Sequence, residues 1–207
     1  MVIPPVLSLE EHAMLVREIE SAEAKTAGEI YVVIAQSADD FRLIPVLWGA
    51  LFALLLAWVL HFATTLSTTQ ILSLQVLGFI AVTGILSIPS LRYRVVPPNL
   101  AADAAHRAAW AQFMAHGIHL TTARTGVLIY VCMLPHRIEV VADEGIHAKI
   151  NPEQWQQIVV QIAKGARVGH LSEGLAAAIR TVSGVLAKHC PCIASQRNEL
   201  PNRIVET

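Results

Sequence analysis

Aromatic side chains and cysteines are both scarce in this chain. Phe, Trp and Tyr together make up 6% of it, against 54% for apolar residues as a class. So lopsided a ratio points to a lipid-facing part rather than to an unusually rich aqueous core. The three cysteines are odd in number. Cys132 lies inside an apolar run, while Cys190 and Cys192 flank a proline. That is no disulfide framework, so a reducing compartment is expected. Excess positive charge is absent as well: the net charge is −1 and no Lys/Arg cluster occurs, which argues against the basic stripe that nucleic-acid binding uses. The first residues show no basic segment with an apolar one behind it. They form an acidic amphipathic stretch, so no cleaved signal peptide is expected. A phosphate loop, a Ser nucleophile elbow and a Cys/His dyad with local support are missing too.

What the chain does have is a long apolar run. Leu43 to Ala63 reads LIPVLWGALFALLLAWVLHFA, in which only His61 could carry charge. A membrane-spanning helix needs about 20 mostly apolar residues. Pro45 falls in the first turn, where a missing N–H costs little, and Trp48 and Trp58 stand toward the two ends, as interfacial aromatics do. A second run, Ile71 to Ile88, is uncharged but carries Ser73, Gln75, Thr83 and Ser87. The short linker TTLSTTQ makes a transmembrane helical hairpin the natural arrangement, with Ser and Thr able to bond across the pair. Arg17, Lys25 and Arg42 precede the hairpin and Arg92, Arg94 and Arg107 follow it, whereas the connecting loop has no cation. The positive-inside rule then predicts a multi-pass protein of the inner (cytoplasmic) membrane with both termini in the cytoplasm.

The flanks read as one domain. Ser8-Leu9-Glu10-Glu11 fits a capping box, and the helix it starts carries Leu9, Ala13, Val16 and Ile19 at helical spacing. Glu29 to Ala35 (EIYVVIA) reads as a buried strand. Beyond the hairpin come an Ala-rich helix over Asn99 to His116, a strand over Thr125 to Leu134 and another over Arg137 to Ala142, the last two joined as an antiparallel hairpin. Asn151-Pro152-Glu153-Gln154 opens a further helix. A final helix from Ser172 to His189 repeats Leu175, Ile179, Val182 and Leu186. One helix and one strand cannot bury themselves, so Glu29–Ala35 should pair with Thr125–Leu134, in parallel. The predicted plan is an α/β fold with helices on both faces of a small mixed sheet. Residues 1–42 form its first part, 43–90 the hairpin, 91–192 its second part and 193–207 a disordered tail.

The strings AEAKTAGEIYVVIA, TARTGVLIYVCMLPHRIEVVADEGIHAKI, the Trp of PEQWQQIV and HLSEGLAAAIRTVSGVLA resemble the TPM-domain family, the group that includes the thylakoid-lumen type of protein. Here the resemblance is to a membrane-anchored, bacterial-type member whose domain is interrupted by the hairpin. It implies a compact three-layer α/β/α sandwich. It also brings an association with weak acid phosphatase activity, divalent-metal binding and the maintenance of photosystem or membrane complexes. The absent signal peptide and the interrupting hairpin depart from the exported members, so an extracytoplasmic role does not transfer freely.

The strand Arg137–Ala142 runs into Asp143-Glu144-Gly145. With two parallel strands and one antiparallel, Asp143 and Glu144 fall at the same sheet edge as Glu29 and Arg124. Three carboxylates, Asp143, Glu144 and Glu29, could hold a hard divalent cation such as calcium or magnesium through oxygen ligands, with Arg124 binding an anion. The alternative is a solvated turn in which Asp143 caps local N–H groups, Gly145 takes a positive φ and Arg124 makes a surface ion pair of little worth. His116-Gly117-Ile118-His119 and His189-Cys190-Pro191-Cys192 lack the ligand number of a metal clip, though Gly117 suits a helix end. No catalytic residue is identified. The expected function is a membrane-tethered cytoplasmic module that touches the lipid bilayer and binds or assembles another membrane protein; a metal-dependent phosphatase at the membrane surface is the alternative.

Overall fold

A computed structural model describes residues 6–121, 123–147, 150–191 and 204–207. They fall into two compact units: residues up to Ala38 together with Ala102 onward, and Asp39–Ala101.

The first unit is built on a mixed four-stranded sheet. Its strands are β1 (Glu29–Ser37), β2 (Gly126–Leu134), β3 (Arg137–Ala142) and β4 (Ile204–Glu206), in the order β3-β2-β1-β4. As expected from the apolar runs, β1 and β2 are parallel, with Glu29 opposite Gly126 and Val33 opposite Tyr130. β2 and β3 are antiparallel, with Val127 opposite Ala142. Alternation along β1 and β2 sends their side chains to two separate cores. Ile30, Val32, Ile34, Val127 and Ile129 cluster with residues of α1 (Leu9–Glu23), α7 (Pro152–Arg167) and α8 (Leu171–His189). Tyr31, Val33, Leu128, Tyr130 and Cys132 cluster with Ala109 and Phe113 of α5 (Pro98–Ala115). Helices therefore cover both faces, and strands that are buried on both sides read as unbroken apolar runs.

Helix α1 begins with the predicted capping box. Ser8 Oγ accepts from Glu11 N at 3.2 Å, and Glu11 Oε2 accepts from Ser8 N at 2.9 Å. Ser172 Oγ donates to Glu11 Oε1 at 2.6 Å, and this bond, followed by those from Ser8, holds the Glu11 carboxyl below its usual range. The buried row of α1 differs from the one expected. Leu15, Ile19 and Ala22 face inward, whereas Leu9 is 91% exposed. The inward row is interrupted in the sequence by His12, whose Nε2 lies 3.3 Å from the Ile204 carbonyl of β4. In α8 the expected row of Leu175, Ile179, Val182 and Leu186 is fully buried.

The tail requires a correction. Ile204–Glu206, assigned in the sequence to a disordered end, pairs in parallel with Val32–Ile34. Ile204 is buried, and Thr207 N donates to Ile34 O at 3.0 Å. Glu206 accepts from Val6 N at 2.8 Å and Leu7 N at 3.3 Å. Three residues carry no periodicity that could announce a strand; their pairing partners on β1 and the amides that Glu206 meets all lie far away in the sequence. Residues 192–203 lie outside the described set.

The second unit is dominated by α2 (Leu43–Ala63) and α3 (Thr68–Leu86), with the single turn α4 (Pro89–Arg92) after them. Contacts run antiparallel: Gly49 meets Thr83, and Gly78 meets Phe52 and Leu56. Both helices are long and apolar enough to cross a membrane, with mean hydropathy 2.4 and 1.8. Only 22% and 6% of their apolar windows are buried, which does not fit a core helix of a globular unit. The second helix starts earlier than Ile71. Ser67 and Gln70 form a capping box, with Ser67 N donating to Gln70 Oε1 at 2.9 Å, so Thr68 to Gln70 of the presumed linker are the first helical turn. At the other end Ile88 has left α3 and serves as the N-cap of α4.

Candidate functional site

The register of the sheet brings one corner together. Asp143 N donates to Gly126 O at 3.0 Å and Glu29 N to Thr125 O at 3.3 Å, so the end of β3 and the starts of β1 and β2 share one edge. Hydroxyls buried with the backbone fix this edge. Thr125 Oγ1 donates to Ala27 O at 2.7 Å, and Thr125 N donates to Thr121 Oγ1 at 3.2 Å. Thr26 Oγ1 donates to Cys190 O at 2.9 Å while accepting from Gly28 N at 3.0 Å. Buried backbone groups need such partners. The sequence reading passed over these threonines because single hydroxyls flanking a strand carry no spacing signal.

Arg124 sits in this corner with φ +54°, the left-handed region that few residues without a glycine's freedom adopt. Its Nη1 donates to His119 O at 2.8 Å. The same guanidinium lies 3.9 Å from Asp143 Oδ2 and 4.0 Å from Glu144 Oε2. The Asp143 side chain is 5% exposed, that of Arg124 51% and that of Glu144 91%. Asp143 thus has two different oxygens. Oδ1 accepts from Glu144 N at 2.8 Å and caps the short helix α6 (Glu144–His147). Oδ2 is buried, and among the described residues no hydrogen-bond donor reaches it; its nearby cation is Arg124.

Expectation and structure meet here in part. Arg124, Asp143 and Glu144 come together, and Asp143 caps a local N–H. Glu29, in contrast, is buried on β1 opposite Gly126. Among the described residues no group of three His, Cys, Asp or Glu is placed to hold a metal ion, so Asp143, Glu144 and Glu29 are not gathered as a three-carboxylate set. Glu29 stays buried on β1, while Asp143 and Glu144 leave the sheet at the start of a helical turn. Gly145 does not take a positive φ either; it lies inside α6. Glycine is needed there for approach, since a Cβ would stand 2.5 Å from Arg124 O and 2.9 Å from Ala123 O.

The remaining candidates have other uses. His116 Nδ1 lies 3.1 Å from the Tyr31 hydroxyl, and its Nε2 lies 3.0 Å from Gln112 Oε1. His119 stacks toward Phe113. Gly117 has φ +67° and ends α5, as its place in the sequence predicted. Cys190 is buried and its carbonyl accepts from Ala27 N at 2.9 Å; Cys192 lies outside the described residues. Tyr130 and Cys132 are buried in the core. Burial, then the neighbouring Cys132, pushes the Tyr130 hydroxyl up to about 12, and burial raises the Cys132 thiol. Neither is a nucleophile near neutral pH.

The corner can therefore offer an anion one half-exposed guanidinium, or offer a cation two carboxylates. The two uses compete, because Arg124 already neutralises the carboxylates. A hard cation would have to displace it and complete its shell with water or substrate oxygens.

Residues 87–185 match the TPM domain family. The match contains the whole corner from Arg124 to Glu144 but neither β1 nor β4. Among solved structures, the NMR structure of the BA42 protein from the psychrophilic bacterium Bizionia argentinensis aligns with TM-score 0.63 and 19% identity. The alignment covers 100% of this chain and 99% of that one. At that identity the likeness shows the fold. No curated protein matches the chain.

Proposed function

We propose that the chain is a membrane-anchored TPM-type protein whose hairpin spans the inner membrane. Its α/β unit then stands in the cytoplasm and binds or assembles another membrane protein. The observation that carries this reading is the hairpin itself, two apolar helices left largely uncovered. Soluble proteins rarely expose contiguous apolar surface beyond a few hundred Å², whereas a bilayer covers such helices along their whole length. The cation asymmetry, Arg17, Lys25, Arg42, Arg92, Arg94 and Arg107 against none in residues 64–70, supports the orientation. Single cysteines on a background without the native ones test it in intact cells. Thr68→Cys should react with a membrane-impermeant maleimide and Glu20→Cys should not; the reverse pattern inverts the topology. Labelling of both, with release of the protein by alkaline carbonate, removes the membrane reading altogether. Photocrosslinking from the exposed face of the α/β unit should capture a membrane protein.

A second reading is favoured by the Arg124–Asp143–Glu144 corner and by the word phosphatase in the family's name. Arg124 would hold a phosphoryl group and the carboxylates a divalent ion, the charge arrangement that phosphoryl transfer needs. The detergent-purified protein separates the two readings. Under the first, calcium and magnesium leave hydrolysis of a phosphate monoester at background. Metal-dependent turnover that falls roughly a hundredfold or more in Asp143→Asn would reverse their order.

A further inference from the structure

The elbow that follows α3 folds back onto the start of α2. Trp48 Nε1 donates to Val95 O at 3.1 Å, and the rings of Phe41 and Tyr93 meet edge to face with centroids 6.2 Å apart. Ile44 and Val96 are buried in one small cluster, with Phe41 and Val95 packed against it. These contacts fasten the backbone from which Arg92 and Arg94 project. Arg92 is half-buried, and its guanidinium carbon stands 5.2 Å from the centroid of the Tyr93 ring, a cation–π arrangement. Its Nε is buried and, among the described residues, meets no acceptor. Arg94 is exposed. The charges of this unit do not balance. Residues 39–101 contain two acids, Asp39 and Asp40, against Arg42, Arg92 and Arg94. Both acids are committed elsewhere. Asp39 Oδ1 accepts from Phe41 N at 3.2 Å, and Asp40 Oδ2 accepts from Arg42 Nε at 2.9 Å with Arg42 Nη2 2.7 Å away. Arg92 and Arg94 are left without an acid in their own unit.

A half-buried cation with an unmet donor is costly unless an anion completes it. We infer that Arg92 and Arg94 hold the headgroup phosphate of an anionic phospholipid in the cytoplasmic leaflet, an inference that rests on the membrane reading above. The guanidinium fork matches phosphate oxygens two at a time, and the stacking on Tyr93 holds that of Arg92 ready. A zwitterionic headgroup brings its own ammonium, which two unpaired arginines repel; an anionic one brings none. Depth agrees with the choice, because Trp48 and Tyr93 are the aromatic types that settle at headgroup level. So does the apolar surface beside the pair. Ile85 and Ile88, which come just before Arg92, are both exposed and offer acyl chains a place to lie, for which a free phosphate has no use.

Native mass spectrometry tests this on the full chain, ejected from uncharged detergent micelles that hold equal amounts of phosphatidylglycerol and phosphatidylcholine. Wild type should retain phosphatidylglycerol in preference to phosphatidylcholine by about tenfold or more, since each cation at a lipid surface contributes roughly fivefold. Arg94→Gln, at an exposed position where folding is not at stake, should cut the preference about fivefold. Adding Arg92→Gln should abolish it. Arg92→Lys keeps the charge without the planar fork and should lose part of the preference. Equal retention of the two lipids by wild type overturns the inference, as does a full preference in the doubly substituted protein. An Arg92→Lys protein that selects like wild type overturns it too, because charge alone would then do the selecting. Inorganic phosphate in large excess over the lipid should not displace it; displacement would make the ligand a free anion. Failure of the underlying reading shows separately, in wild-type protein released from membranes by carbonate.

Discussion

Val33→Asp is expected to make residues 102–191 rapidly digestible by protease and, under the proposed membrane reading, to leave the hairpin inserted. Val33 is fully buried at the centre of β1, opposite Tyr130 and in the cluster that holds Phe113 and Ala109 of α5. The face is poor at solvating charge, since burial, ahead of the neighbouring Cys132, drives the Tyr130 hydroxyl above its ordinary value. An uncompensated buried charge costs about 3–5 kcal/mol, against total stabilities of about 5–15 kcal/mol. The cost falls on both halves because β1 has its hydrogen-bonded neighbours in β2 and β4, on the far side of the hairpin in sequence. Joining strands across so long a segment is affordable because closure entropy grows only as the logarithm of loop length. Limited proteolysis of membranes, followed by mass spectrometry, reads the result, with Val33→Ile as a control that should remain resistant. Wild-type resistance in the aspartate variant would mean that β1 does not organise the second half.

The parts of this fold that were legible are those specified locally. β1 and β2 are unbroken apolar runs because both of their faces are covered, the α8 row repeats at helical spacing, and Ser8 with Glu11 announces a helix start within four residues. Their parallel pairing followed from one further step, the need of an isolated helix and strand for partners. What could not be read depends on distant partners. Ile204–Glu206 is a strand only because β1 has a free edge and because Glu206 meets the Val6 and Leu7 amides. The α1 face was misplaced because His12, a polar residue, lies in the inward row. At the corner, the meeting of Arg124 with Asp143 and Glu144 followed from strand direction alone. The fate of Glu29 did not, because a carboxylate at a strand start gives no sign in sequence of whether it turns outward or is buried.

Gly145 links that corner to stability, and its replacement carries the other large expected effect. The β3 chain leaves the sheet at Asp143 and immediately turns into α6, pressing against residues 123 and 124. An alanine Cβ at position 145 would stand 2.5 Å from the Arg124 carbonyl oxygen and 2.9 Å from that of Ala123. Both obstacles are backbone, so no rotamer change relieves them. The 123–124 segment has little room to retreat, because Arg124 is already held at positive φ with its N–H on Thr121 O at 3.0 Å. Next to it Thr125 is tied to Thr121 and Ala27. Overpacking of this kind typically costs about 1–3 kcal/mol. For a chain of this size that corresponds to a fall of roughly 2–12 °C in the melting temperature. Gly145→Ala should also move Arg124 away from Asp143, leaving a buried carboxylate oxygen with neither donor nor cation, so the loss should lie at the upper end of that range. Asp143→Asn in the same background removes the stranded charge and should recover part of the stability. A double-mutant cycle by thermal unfolding in detergent measures the coupling. If Gly145→Ala melts with wild type, α6 does not press on the Arg124 backbone. If the two substitutions simply add, the ion pair plays no part in holding the corner closed.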